Sequence, residues 1–156
     1  MRGYVCTSGL LLAHQVAGIK NAKDGTSKTI IVAEQSGLVD GTPIRSNYCG
    51  GWAGARDHAT EYNLHPRRAN QIPNDGSANY YHCGLTVVRW AINSQTSVSG
   101  SSRATYETNT ILNSFHPGTI NVLMADGSVH SISEAIDMET LRRLSAADDG
   151  MTVGEF

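Results

Sequence analysis

Apolar and polar positions fall into a readable order near the end of the chain, where Ile120, Val122, Leu123 and Met124 lead into Ala125-Asp126-Gly127-Ser128, and Val129 and Ile132 lead out. Asp-Gly between two β-prone runs is a strong hairpin signal, because a type I′ turn needs positive φ at both central residues. The pattern predicts two antiparallel strands closed at Asp126-Gly127. His116-Pro117-Gly118 precedes the first strand. Proline fixes φ there and glycine permits a bend, so the chain should enter the hairpin through a shaped corner.

The same reading extends upstream. Residues 5–14 read as a first strand, with Leu10, Leu11, Leu12 and Ala13 too continuous for one exposed face, and Val16 and Ile19 extend it or pair with it. Asp24-Gly25-Thr26-Ser27 makes a turn, and the β-branched run Thr29-Ile30-Ile31-Val32 predicts a buried strand over residues 29–34. A helix is the rival there, because the same turn residues can cap one. Tyr80, Tyr81, Leu85, Val87, Val88 and Trp90 give residues 79–92 strand character.

Residues 133–145 hold the one good helix signal. Asp137 is its N-cap, Glu139 suits the positive end, Arg142 and Arg143 suit the negative end, and Met138, Leu141 and Leu144 recur at threes. That stripe should lie on the sheet. Asp149-Gly150 closes the segment, and residues 151–153 read as a last short edge strand.

Two stretches lack periodicity. Across residues 37–79 the turn dipeptides Asp40-Gly41, Thr42-Pro43, Gly50-Gly51 and Asp75-Gly76 surround isolated anchors such as Tyr48, Trp52 and Tyr62. So long an irregular stretch is often a functional loop, and Trp52, His58, His65 and Arg67 are its candidate ligand contacts. The plainer reading is a loop pinned by Trp52 and Tyr62, with Arg67 and Arg68 solvated. In residues 93–110, nine of eighteen positions are Ser or Thr, which describes a solvated loop or an O-glycan-bearing surface. The expected architecture is α+β and mostly β: a single globular domain over residues 1–156, with an antiparallel sheet, long loops and one C-terminal helix packed on the sheet.

Composition narrows the function classes. A chain of 156 residues can bury a working core without staples. Net charge of -2 with 17% charged residues disfavours nucleic acid and anionic membrane as partners. Sixteen glycines and few lysines suit an extracellular, turn-rich protein. The early apolar run is too short for a membrane span. Cys6, Cys49 and Cys83 have no metal-ligand spacing. In an oxidising compartment Cys49 with Cys83 is the expected disulfide, and Cys6 would pair with an upstream segment or another subunit; three buried thiols are the alternative.

Catalytic signatures are missing: no Gly-x-Ser-x-Gly, no His-Glu-x-x-His, no P-loop and no Gly-x-Gly-x-x-Gly. His116 with Asp126 is the sharpest chemical pair. A straight connection between them would span roughly 20 Å or more, so only the bend at Pro117-Gly118 could bring them together. The chemical reading is a metal or catalytic pair. The favoured reading is that Asp126 satisfies its own turn amides and His116 bonds backbone in the corner, while alternation against Val129 turns His130 to solvent. Neither metal nor cofactor is expected.

His116, nine residues, then Asp126-Gly127 resembles the C-terminal signature of a large bacterial, mostly planctomycete, family of prepilin-like proteins of unknown function. The run from Asp24-Gly25-Thr26-Ser27 to Glu34 is similar to a second segment of that family, and residues 84–93 match a third more loosely. The resemblance implies a pilin-head-like fold on a secreted or surface protein whose full-length form begins with a leader and a long apolar helix. This sequence opens at Met1-Arg2-Gly3-Tyr4 instead, so it is expected to be a C-terminal part of such a protein or one that has lost the stalk. The resulting expectation is a non-enzymatic bacterial surface subunit that self-associates into a homo-oligomer or filament. A solute- or glycan-binding module is the alternative, and a metal-dependent hydrolase ranks third.

Overall fold

A computed structural model describes residues 8–11, 17–44, 88–96, 110–154 and 156. Two short 3-10 turns, Ile19–Asn21 and Thr26–Lys28, precede strand β1 (Ile30–Ala33). Then come β2 (Leu38–Val39), β3 (Thr42–Pro43), β4 (Thr119–Met124), β5 (Val129–Ser133) and helix α1 (Met138–Leu144). The fold is α+β and mostly antiparallel sheet.

Strand β4 is the centre of a three-stranded antiparallel sheet in the order β1-β4-β5. Its alternation decides its faces: Ile120, Val122 and Met124 are buried, whereas Thr119, Asn121 and Leu123 are only partly covered. On one side Ala33 pairs with Val122 and Val32 with Leu123, with a bulge between Ile30 and Val32. On the other, Ile120 pairs with Ile132 and Leu123 with Val129. The β-branched run thus resolves in favour of strand over helix, but as β1 over residues 30–33 and not 29–34, and half-covered instead of buried: no residue of β1 is buried and Val32 is exposed, because β1 lies at an edge of the sheet.

Helix α1 covers the buried face. Asp137 caps it, its Oδ2 accepting the Thr140 amide at 2.9 Å, and Arg143 bonds Glu139 one turn back at 3.2 Å. Leu141 and Leu144 pack with Ile92, Leu112, Ile120, Val122, Met124 and Ile132 into one core. Each such side chain contributes about 1.5–3 kcal/mol through burial. The helix is shorter than its sequence signal, because Ile136 donates to the Ser133 carbonyl in a turn (3.1 Å) before Asp137 can start it.

Several expectations change. The hairpin β4-β5 forms at Asp126-Gly127, but not through a type I′ turn. Only Gly127 has positive φ (88°) there, Gly127 N–H donates to Met124 O (3.0 Å), and Met124 N–H donates to Ser128 O (2.9 Å). This is the longer connection in which a left-handed glycine makes a bulge. The paired positive φ of a type I′ turn occurs instead at Asp40 (50°) and Gly41 (68°), where it joins β2 to β3.

Residues 8–11 form bends rather than strand, Ile19 begins a 3-10 turn, and residues 88–92 form no strand. Ile92 enters the core from a turn closed by Ser94 N–H to Ala91 O (3.2 Å). Residues 151–153 are also not a strand. Within 37–79 the described residues end at 44, and within 93–110 they are 93–96 and 110, where Thr110 is buried. Among the described residues no helix is long and apolar enough to cross a membrane.

Candidate functional site

The segments singled out in the sequence meet at the two ends of β4. At the hairpin end, the turn beginning at Asp24-Gly25 docks on the Asp126 turn. Asp126 N–H donates to Thr26 O (3.1 Å) and Ala125 N–H to Thr29 O (2.8 Å), while the buried Thr29 hydroxyl donates to Gly25 O (3.0 Å). Ser27 sits exposed in the same turn. The Asp24 carboxylate accepts the amides of Asp149 (2.7 Å) and Gly150 (3.0 Å), which ties the chain after α1 to the turn that precedes β1.

Asp126 itself is occupied locally. One of its oxygens accepts both the Ser128 amide (2.9 Å) and the Ser128 hydroxyl (2.6 Å), and Ser128 Oγ lies 3.0 Å from His130 Nε2. The Ser128 bonds hold the Asp126 carboxyl below the usual carboxylate range. Because a carboxylate can only accept, the Ser128 proton points at Asp126 and not at the imidazole. A hydroxyl nucleophile needs the reverse arrangement, with its proton directed to the base. The row Asp126, Ser128, His130 therefore stabilises a turn.

His130 is exposed, but alternation works differently from expectation. His130 shares its face with buried Ile132, and Val129 is the residue left open, at 68% exposure. The His130 ring tilts against the Phe156 ring at 5.9 Å, and Lys28 Nζ lies 4.9 Å over the Phe156 ring while donating to Gly154 O (3.1 Å).

At the other end Glu34 is the organiser. Its Oε2 accepts the Asn121 backbone amide at 2.8 Å, its Oε1 accepts the Asn121 side-chain amide at 3.3 Å, and its own amide donates to Asn121 O at 3.2 Å. His116 Nε2 stands 3.7 Å from Glu34 Oε1, with the His116 side chain 58% exposed. The His116 corner is built from Ser114, whose hydroxyl donates to Thr119 O (2.7 Å) and accepts the His116 amide (2.9 Å). Pro117 is exposed, and Gly118 carries the bend at φ 70°.

His116 and Asp126 thus lie at opposite ends of β4 with different partners. What the fold brings together is His116 with Glu34, and Asp126 with Thr26. Among the described residues no group of three or more His, Cys, Asp or Glu side chains is placed to hold a metal ion. Trp52, His58, His65, Arg67, Cys6, Cys49 and Cys83 lie outside the described residues.

Sequence reasoning missed the asparagines. Asn113 is buried; its main-chain carbonyl accepts Ser36 N–H (2.9 Å), and its side-chain Nδ2 donates to Leu38 O (2.9 Å), which positions β2 beside the sheet. Asn93 Oδ1 accepts the Ser114 amide (3.1 Å), and Asn93 Nδ2 donates to Glu134 (2.9 Å). A polar residue directly after apolar Ile111-Leu112 was the available signal for Asn113, since a buried carboxamide must find partners.

A family model described as a protein of unknown function, DUF1559, matches residues 5–139. No curated protein and no solved structure matches the chain.

Proposed function

This chain belongs to the DUF1559 family of proteins of unknown function, and from that premise we propose that it is a non-enzymatic structural subunit. In this reading it resides outside the bacterial cell or on its surface, and its sheet-bearing head self-associates into a filament or surface apparatus. One observation carries the reading: the acidic residues that mark its motifs spend their oxygens on main-chain amides. Glu34 binds the amide of Asn121 and Asp24 those of Asp149 and Gly150. Side chains used this way hold a shape, and a carboxylate so engaged is poorly placed to move a proton.

Sedimentation velocity and electron microscopy across a concentration series test the proposal. Oligomers that grow with concentration, or ordered polymers, are the expected result. A chain that stays monomeric at every concentration rejects it, and a monomer that binds a glycan in calorimetry replaces it with the binding-module reading.

A further inference from the structure

We propose that the edge of β5, which has no neighbouring strand among the described residues, is the contact through which a second copy of this chain joins, by antiparallel β5-β5 pairing about a two-fold axis at Ser131. The proposal rests on the subunit reading above and names its interface. Both edges of the three-stranded sheet, β1 and β5, lack a further strand among the described residues. They are not equivalent. Strand β1 is interrupted by a bulge between Ile30 and Val32, one of the devices that discourage pairing at an edge. Strand β5, Val129-His130-Ser131-Ile132-Ser133, has no bulge in its register with β4, no proline and no Lys, Arg, Asp or Glu.

Its backbone points the right groups outward. Met124 N–H donates to Ser128 O and Glu134 N–H to Gly118 O, so with the alternation of an antiparallel ladder residues 128, 130, 132 and 134 bond inward to β4. Val129 and Ser131 therefore direct both their N–H and C=O groups away from the sheet, and Ser133 directs its N–H outward, its carbonyl already accepting Ile136 N–H (3.1 Å). These are the positions that match under the two-fold: Ser131 meets Ser131 of the second copy, and Val129 meets Ser133. No charged side chains face one another in that register, which is why a second copy fits this edge without like-charge opposition. Joining two three-stranded sheets edge to edge gives the continuous order β1-β4-β5-β5-β4-β1.

Outward amides offer a direct readout. In dilute monomer the amides of Val129, Ser131 and Ser133 exchange rapidly with solvent and become protected as the protein associates. Protection already complete in the dilute monomer overturns the proposal, because the edge would then be covered by the same chain.

Two variants complete the test. Ser131→Pro removes only an outward N–H, which an edge strand tolerates, and abolishes association. Val129→Lys places a lysine on the edge, one of the devices that discourage strand pairing, and weakens association on the order of tenfold. If the unaltered chain associates and both variants, folded by circular dichroism, associate equally well, this interface is wrong and the subunit reading stands. If the unaltered chain does not associate at all, the subunit reading itself fails.

Discussion

Gly37 and Asn113 pack so closely that a Cβ on residue 37 would fall within the Asn113 carboxamide and 2.8 Å from the Ser114 carbonyl oxygen. Both residues are buried, and the Asn113 carboxamide cannot move aside without releasing its bond to the Leu38 carbonyl. The missing side chain of Gly37 is therefore what lets the chain after β1 lie against the segment entering β4.

Gly37→Ala should lower stability by about 1–3 kcal/mol through overpacking. Urea denaturation measures it. Gly154→Ala is the control, since nothing lies within 4 Å of that position, and it should leave the midpoint unchanged. Equal midpoints for the two variants would contradict the close approach.

Glu34 and His116 should separate sharply. Glu34→Ala strips the Asn121 amide of its partner and costs about 1–2 kcal/mol, reduced from a fully buried case because Glu34 is partly exposed. Glu34→Gln keeps one acceptor oxygen and loses less. His116→Ala removes only an exposed 3.7 Å contact with Glu34 and changes stability by about 0.5 kcal/mol or less. A large loss on His116→Ala with none on Glu34→Ala would reverse the assignment of Glu34 as organiser.

Asp24→Ala should free the chain after α1. Hydrogen exchange at the Asp149 and Gly150 amides reports it directly, because those amides donate to Asp24. Their exchange should accelerate in the variant while the amides of β4 stay protected. Unchanged rates at both amides would show that the clasp does not hold this segment.

Acid should weaken the fold through Asp126 and Asp137. Asp126 lies below the ordinary aspartate range because of its Ser128 hydroxyl and amide bonds, and Asp137 because of the Thr140 amide. Folding lowers both, so their ionised forms contribute stability that is complete above about pH 4, the unfolded aspartate value. That stability is lost as pH falls through the lower folded values. The double variant Asp126→Asn with Asp137→Asn should show a flatter decline in urea midpoint below about pH 4 than the unaltered chain. An identical decline in both proteins would exclude this linkage.

Local chemistry carried the elements whose partners lie close in sequence. The hairpin around Asp126-Gly127 and the Asp137 cap are short-range events, settled by turn and capping residues within a few positions of one another. The β-branched run before Glu34 was legible as strand for the same reason, since stiff side chains favour an extended, half-buried backbone. Even the turn type was not local, however: the type I′ geometry went to Asp40-Gly41, while Asp126 used its side chain on Ser128 and left positive φ to Gly127 alone.

Contacts between distant residues belong to tertiary structure. Nothing near Glu34 announces that its carboxylate will accept an amide 87 positions away, or that Asp24 will hold amides 125 and 126 positions on. Ile92 likewise lacks a strand of its own and is buried because the chain turns beneath α1 and the sheet. By itself the sequence determined a β-rich chain with one tight reversal and one capped helix, because those follow from backbone preferences of neighbouring residues. Only the packed structure decided which carboxylate grips which strand and which strand lies at the centre of the sheet, because those outcomes depend on burial and on amides that find partners only once the layers have met.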